Sequence, residues 1–338
     1  GSNQIRFSTG ARAKIYIKDT PISTTMWNCL SGNGHLYFDT AGVARIELSC
    51  GGWRPSAAMG MAAAVPRICA GAPLDDIARW QNDTEQVSPE VYRQYMIDGD
   101  TRGFASLEKL EKAFDKVLRE MKATAVDDTP AVWSVYNMGY IVKTRESIFS
   151  IDLVHRRDSE LASLMDFALV THNHSDHWRA GFCRKMAELE KPVVSNFLGF
   201  KGYTRAKTIS RIRDVEIRTS LIDHNDWLID FTTAFEIRVG NWTMYHTGDS
   251  GKGTEPKLET VWGRPDLWLF FPGCGINTAK AVAKIDAKRI VFGHLWELDH
   301  KQNHRGRLDE PLIRRALAQA AKVGHKQTSL AFWGDRVV

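Results

Sequence analysis

The sequence has few cysteines, and none of them forms a Cys-x-x-Cys motif. The five cysteines, an odd number, are Cys29, Cys50, Cys69, Cys183 and Cys274. A disulfide framework and a zinc ribbon are therefore both disfavoured, and a reducing compartment, the cytoplasm, is the default expectation. The Gly1-Ser2 start resembles a cloning remnant, so this expectation leaves open a signal peptide that has been removed.

The sequence also lacks a long hydrophobic run and a strong charge of one sign. Its most apolar stretch, residues 57–70, contains Pro66 and Arg67 and is too short to span a bilayer. The net charge of +5 is slight for 338 residues, and the basic residues are scattered. This argues against a dedicated nucleic-acid surface. With 43% hydrophobic residues the chain can bury a sizeable core. We expect no transmembrane segment, and the slight positive charge is compatible with an anionic substrate, for example one that carries a phosphate.

The chain divides into two regions with different patterns of predicted strands and helices. Neither region contains an internal repeat. Residues 1–125 read as an N-terminal extension that is β-rich at first and then helical, with its clearest amphipathic helix at 104–121. From residue 126 short strands alternate with helices, and polar motifs stand at the strand tips. This alternation indicates an α/β sandwich. We therefore predict an N-terminal extension and a main domain, residues 126–338. The extension could pack on or cap the main domain, mediate dimerisation, or extend its sheet.

One short stretch carries four side chains that can bind metal. Residues 171–178 read Thr-His-Asn-His-Ser-Asp-His-Trp and follow an apolar run, 167–170, which predicts a buried strand. The metal-competent residues are His172, His174, Asp176 and His177. Burying them without a metal would leave several polar groups that need partners, at about 1–3 kcal/mol each. Imidazole nitrogen and carboxylate oxygen together suit zinc, iron or manganese.

Three later residues could complete a site for two ions. Each ion needs at least three protein ligands and a position for water. His224, Asp249 and His294 all stand at the ends of predicted strands, where functional loop residues accumulate on a rigid sheet. His246 competes with His224, but it lies within a predicted strand, three residues before Asp249. We therefore favour His224 as the ligand.

In this order and spacing, the motifs resemble those of the metallo-β-lactamase superfamily over about residues 131–338. The resemblance is carried by the first motif, the loop histidine, His246-Thr-Gly-Asp249-Ser and the strand-end histidine. In detail the motifs look closest to the branch related to ascorbate-6-phosphate lactonase and N-acyl phosphatidylethanolamine phospholipase D. The resemblance implies a four-layer αββα sandwich. It does not explain the first 120 or so residues.

The resemblance also implies a role for each ligand. The expected groups are His172, His174 and His224 for one ion, Asp176, His177 and His294 for the second, and Asp249 as the bridge. A hydroxide shared by the two divalent ions would attack a small-molecule ester, lactone or phosphodiester. Zinc is favoured over manganese or iron, and Asp176 and Asp249 are the expected catalytic residues.

The residues that contact the substrate are less sharply defined by the sequence. Trp178 and Trp296 neighbour ligand positions, Trp227 follows His224 by three residues, and all three are candidates for pocket walls. His300, Lys301 and His304 follow the last ligand and are candidates for protonating the leaving group, although a solvated polar loop explains these three equally well. Cys274, in a glycine-rich loop after a predicted strand, is expected near the metals.

Other functions on the same fold stay open at this stage. The main alternative is a nuclease or RNA-processing phosphodiesterase, but no insertion large enough for an RNA-gripping arm separates the motifs. The cations in residues 201–213 could grip a phosphate, although a solvated surface segment explains them better. An iron-bearing redox protein would need a flavin domain, and none is visible. A homo-oligomer is also left open.

Overall fold

The computed structural model describes residues 74–300 and 309–338, together with five strands in the first 49 residues. The strands are β1 (Ser2–Phe7), β2 (Arg12–Ile17), β3 (Thr20–Met26), β4 (Gly34–Asp39) and β5 (Val43–Ser49). They form two small sheets. One is the antiparallel pair of β1 and β4, and in the other β2 lies between β3 and β5. The sequence predicts four of them, through strand-like runs at 5–7, 14–17, 35–38 and 44–48, and misses β3, whose one serine and three threonines interrupt any apolar pattern. The sequence also predicts a helix over 57–66, which lies outside the described residues.

A five-stranded mixed sheet forms one half of the main domain. Its strand order is β10-β9-β8-β7-β6, with antiparallel pairing from β6 to β8 and parallel pairing from β8 to β10. The strands are β6 (Ala131–Ser134), β7 (Tyr140–Lys143), β8 (Ile148–Ile151), β9 (Phe167–Leu169) and β10 (Val193–Val194). The parallel pairing places the ends of β8 and β9 at the same edge, so the residues that follow these two strands are neighbours.

A seven-stranded mixed sheet forms the other half, in the order β11 to β17. β11 to β14 pair antiparallel and β14 to β17 pair parallel. The strands are β11 (Thr208–Ile212), β12 (Val215–Ile222), β13 (Thr232–Val239), β14 (Trp242–His246), β15 (Leu267–Phe270), β16 (Arg289–Phe292) and β17 (Thr328–Leu330). The hairpin that the sequence predicts across Gly240-Asn241 is confirmed, with Val239 opposite Trp242.

The two sheets face each other across an apolar core, as side-chain alternation along the strands requires. Phe149 and Phe167 of the first sheet, whose rings stack at 4.5 Å, are buried in the same cluster as Phe235 and Leu269 of the second. Alternate residues such as Trp268 point to the outer faces. The predicted α/β class is confirmed by these sheets and by the helices that flank them.

Helices cover the outer faces of the two sheets. The helix predicted over 104–121 is confirmed within two residues, and its buried stripe contacts the core beside the first sheet. The helices are α1 (Leu74–Glu85), α2 (Pro89–Asp98), α3 (Ala105–Ala123), α4 (Asp158–Leu164), α5 (Ala180–Glu188), α6 (Thr278–Ile285) and α7 (Glu310–Lys322). None of the helices in the described part of the chain is long and apolar enough to cross a membrane.

An aromatic cluster joins α1 to the main domain. The Trp80 ring lies 5.5 Å from that of Trp296, 5.7 Å from Phe332 and 5.0 Å from Trp333, centroid to centroid. Such ring pairs contribute about 0.5–1.5 kcal/mol each beyond the area that they bury. The first described helix therefore packs directly on the loop that follows β16. The division at residue 125 stays a prediction.

We expect Trp80→Ala to lower the free energy of unfolding by about 2 kcal/mol, because it removes a half-buried ring from the aromatic cluster. Ile97→Ala is the matched control, since Ile97 is 79% exposed and its truncation should change stability by less than about 0.5 kcal/mol. Chemical denaturation of the full chain measures both values. Equal stability of the two variants would contradict the packing of α1 described here.

Candidate metal centre

Strand ends bring the seven predicted ligands together. The first motif follows β9, and His224, Asp249 and His294 stand after β12, β14 and β16. Three overlapping groups have candidate ligand atoms within 4.8 Å of one another: His172, His174 and His224; Asp176, His177 and His294; and His172, His177 and Asp249. The structure thus clusters the set that the sequence singles out. That they bind metal stays a prediction.

The first group consists of three imidazoles. His172 Nε2 lies 3.1 Å from His174 Nδ1, and the ring centroids of His174 and His224 are 4.6 Å apart. Phe231 contacts all three rings, at centroid distances of 5.2–5.9 Å. This aromatic side chain limits the ways in which the rings can turn, so their nitrogens stay directed towards a common point.

The second group combines one carboxylate with two imidazoles. Asp176 Oδ2 lies 3.2 Å from His294 Nε2 and 3.5 Å from His177 Nε2. All three side chains are buried. Phe271 stacks on the His294 ring with 4.0 Å between centroids and fixes its plane.

Asp249 lies between the two groups. Its Oδ1 is 3.2 Å from His177 Nε2, and its Oδ2 is 3.5 Å from both His224 Nε2 and His294 Nε2. The carboxylate thus lies near histidines of both groups, and its Oδ2 is near one histidine of each.

Several buried polar atoms at the centre lack a hydrogen-bond partner of suitable geometry. They include Asp176 Oδ1, His177 Nε2, His224 Nε2 and Asp249 Oδ1. Each such atom costs about 1–3 kcal/mol when nothing satisfies it. Nitrogen and oxygen donors of this kind are those that divalent transition metals bind. The residues present therefore fit divalent metal ions.

Asp152 orients one imidazole directly and a second through Thr171, and sequence reasoning missed it. Its Oδ2 lies 2.8 Å from His177 Nδ1 and accepts a hydrogen bond from Thr171 Oγ1 at 2.6 Å. Thr171 Oγ1 lies in turn 2.9 Å from His172 Nδ1. These contacts direct the Nε2 atoms of both histidines into the centre, as buried carboxylates do for metal-binding histidines. Its position directly after β8 could have indicated Asp152 as a residue of the centre. The sequence pattern, however, predicts a strand over 148–153, which includes this residue.

Asn137 is the second residue that sequence reasoning missed. Its side-chain Nδ2 donates to Asp176 Oδ2 at 2.9 Å, and its backbone carbonyl oxygen accepts from the backbone N–H of His294 at 3.1 Å. Asn137 and His294 have φ angles of 57° and 63°. Left-handed backbone at residues other than glycine costs free energy and persists where the surroundings impose it. No sequence motif marks this turn apart from Gly139.

The environment separates the two groups electrostatically. Burial lowers the pKa of His172, and it lowers the pKa of His174 to about 4. Burial also opposes charge on His294, but Asp249 and Asp176 outweigh it and raise the pKa of that imidazole to about 9. His172 and His174 are therefore neutral at pH 7, the form of imidazole that binds metal. Binding of a cation at the second group would displace protons from its imidazoles.

A cavity of about 770 Å³ opens over the centre. Its described lining comes from loops of both sheets: residues 173–176, 224–227 and 273–275, with Asp249, Lys252, His294 and His300. Of the predicted substrate contacts, His300 lies in this wall. Lys301 and His304 fall outside the described residues.

Two of the three predicted tryptophans lie outside the described lining of this cavity, and the third, Trp227, is part of it. Trp178 lines a neighbouring cavity of about 560 Å³ and packs edge-on against Phe197. Trp296 is buried, and its ring stacks on Trp80 and Phe332. Its φ of 51° shows a left-handed turn directly after the ligand loop, which sequence adjacency to His294 could not reveal.

Two other candidates near the centre have clear positions. His246 Nε2 lies 3.1 Å from the carbonyl oxygen of Met138, and its Nδ1 accepts from the Gly248 N–H. It is a neighbour of the cluster, whereas His224 belongs to the group with His172 and His174. Cys274 Sγ lies 3.6 Å from Asp249 Oδ2, as near the centre as expected.

The cation-rich segment 201–213 lies away from the described cavity lining. Lys207 pairs with Glu259, and Arg213 pairs with Asp166 at 2.9 Å. Most of the segment is exposed or half-buried. These observations support the interpretation of segment 201–213 as a solvated surface rather than as a phosphate-binding segment.

Comparison with known proteins gives distant similarities only. No family model and no curated protein matches the sequence. Among solved structures, the chain is similar to a possible metal-dependent hydrolase from Veillonella parvula, with 13% identity and a TM-score of 0.48 over 62% of this chain and 99% of that one. A metallo hydrolase from Ignicoccus hospitalis has 14% identity and a TM-score of 0.48, over 62% and 97%. A metallo-beta-lactamase fold protein from Bacillus subtilis has 15% identity and a TM-score of 0.45, over 62% and 99%.

These similarities are too distant to place the chain in a branch of hydrolases. The predicted kinship with the lactonase and phospholipase D branch therefore stays a prediction. The functional argument depends on the residues of the centre itself.

We expect Asp152→Asn to weaken binding of zinc by about 10–100-fold, because the amide orients His177 poorly and no longer supports its basicity. Asparagine tolerates the φ of 46° at this position, so the fold should be retained. Asp128→Asn is the control, since Asp128 lies on the surface with its side chain 98% exposed. Competition with a chromophoric chelator measures both affinities. Wild-type affinity in Asp152→Asn would contradict the orienting role.

Proposed function

We propose that this protein is a metal-dependent hydrolase that cleaves a small-molecule ester, lactone or phosphodiester. The observation that carries the proposal is the position of the Asp249 carboxylate between the two groups of candidate ligands, within 3.5 Å of histidines of both groups. A cavity large enough for a small molecule opens directly over this point.

Two ions would occupy the cluster, with zinc favoured and manganese or iron as alternatives. His172, His174 and His224 would hold one ion and Asp176, His177 and His294 the other, with Asp249 shared. Bound divalent ions lower the pKa of water and polarise carbonyl or phosphoryl oxygens. The mixed nitrogen and oxygen set accepts all three metals, so availability decides among them.

Asp176 has a second role besides binding. Asn137 donates to its Oδ2, and its Oδ1 is buried without a hydrogen bond. This oxygen can accept a proton from the attacking water and orient that water for attack. The hydrogen bond from Asn137 holds the carboxylate in place while it does so.

His300 is the best placed donor of a proton to the leaving group. It lies in the cavity wall, and its Nδ1 is 2.6 Å from Oε2 of the buried Glu297. This hydrogen bond raises the pKa of His300, so more of the imidazole carries a proton near pH 7. Glu297 also accepts from Tyr136 Oη at 3.3 Å, which positions the carboxylate.

The alternative, a nuclease, gains little from the described part of the cavity. The only lysine or arginine in the described lining is Lys252, and Asp226 pairs with it at 2.9 Å. Nucleic-acid binding relies on several cations that meet phosphates. A small substrate therefore fits this lining better.

We expect elemental analysis of the metal-replete protein to find two ions per chain, and one fewer in His174→Ala or in His294→Ala, because each variant removes a ligand from a different group. His246→Gln is the matched control and should keep two ions, since His246 lies outside the cluster. Plasma mass spectrometry on gel-filtered protein measures the content.

Activity is measured on carboxylic esters, lactones and a simple phosphodiester before and after chelation. The proposal requires hydrolysis that chelation abolishes and zinc or manganese restores. A wild-type protein without metal under replete conditions, or hydrolysis unaffected by chelation, would refute it. Cleavage of RNA, without cleavage of any of the small substrates, would favour the nuclease.

A further inference from the structure

One large apolar side chain stands at the mouth of the cavity. Trp227 is 90% exposed, the highest value among the large hydrophobic residues in the described part of the chain. It lines the same cavity as His224 and Asp249. Tryptophan is seldom left in water, because its ring buries a large apolar area. An exposed ring beside a reactive centre is therefore available for recognition.

The loop that carries Trp227 is tied down by its own hydrogen bonds. Asn225 Oδ1 accepts from the backbone N–H of Trp227 and from that of Leu228, both at 2.9 Å. Lys257 Nζ contacts Asp223 at 2.6 Å and Asp230 at 2.7 Å, and so closes the base of the loop. A ring presented on a fixed loop loses little conformational freedom when a ligand packs against it.

The rest of the described lining is polar or small. Lys252 and Asp226 neutralise each other at the rim, and Gly273 and Gly275 contribute no side-chain bulk. Apart from the histidines, Trp227 is the only large ring in the described lining. Apolar recognition by this part of the wall therefore depends on that one residue.

We propose that Trp227 determines specificity by packing against an aromatic group of the substrate near the scissile bond. The substrate is then a carboxylic ester or lactone that carries an aryl group. Hydrolysis breaks its acyl C–O bond, adds the oxygen of water to the acyl carbon, and releases the alcohol with a proton. This inference rests on the proposed function for its chemistry, but its binding component can be measured separately.

The kinetic test compares esters that differ in one ring. Methyl phenylacetate and benzyl acetate place a ring on either side of the ester, and methyl acetate is the reference without a ring. In the metal-loaded protein, we expect Trp227→Ala to raise KM for a ring-bearing ester by about three- to tenfold, the range of aromatic pair energies. kcat should stay within about twofold, and methyl acetate should be unaffected. Trp227→Phe should retain most of the preference.

Trp262→Ala is the matched control. Trp262 is a half-buried tryptophan outside the described cavity lining, and its ring lies 4.8 Å from the Arg238 guanidinium. This variant should show the wild-type preference among the three esters. Equal KM changes in Trp227→Ala and Trp262→Ala would mean a general loss of structure and would overturn the assignment.

A binding test separates this inference from the proposed function. Phenylacetohydroxamate should bind the metal-loaded wild type more tightly than acetohydroxamate, and Trp227→Ala should remove that difference; calorimetry measures both affinities. Ester hydrolysis without any ring preference would overturn the role of Trp227 and leave the hydrolase intact. A ring preference in hydroxamate binding without hydrolysis of any ester, lactone or phosphodiester would leave the recognition intact and refute the hydrolase.

Discussion

The structure depends on one constraint, the burial of several ionisable side chains at a single edge of a β-sandwich. Asp176, Asp249 and five histidines share this edge, and several of their polar atoms have no hydrogen-bond partner. Burying such groups without compensation is costly. Attraction between the two carboxylates and the neighbouring imidazoles offsets part of the cost, and bound cations would offset more. The rigid sheets beneath hold the groups in place despite this cost.

The geometry of the centre is held by residues that contact the candidate ligands. Asp152, Thr171 and Asn137 make hydrogen bonds that fix which nitrogen or oxygen of a ligand points inward. Phe231 and Phe271 restrict rotation of the rings from the apolar side. Polar and aromatic supports therefore act together, and the ligands have little freedom to reorient.

The sequence made much of this predictable because the ligands are recognised by local spacing. His172 to His177 follow a short apolar run, and His224, Asp249 and His294 each follow another strand, so their convergence follows from the sheets. Asp152 has the same relation to β8, but a lone aspartate carries no motif.

The remaining discrepancies arise where tertiary contacts override local pattern. Asn137 and Trp296 adopt left-handed backbone that their sequence neighbours do not signal. β3 is rich in serine and threonine and is defined by its pairing with β2 rather than by an apolar periodicity. Each of these features depends on residues far away in the sequence, which spacing alone cannot reveal.

The stacking of Trp80 on Trp296 has a consequence for how this chain can be divided. Trp296 lies two residues after His294, so a ring from α1 supports the very loop that presents a candidate ligand. The helix α1 is thus not a detachable module with respect to the centre. A shortened chain that begins after α3 would expose the indole of Trp296 to solvent and free its loop to rearrange. Recombination between relatives would then have to exchange α1 and this loop as one inherited unit.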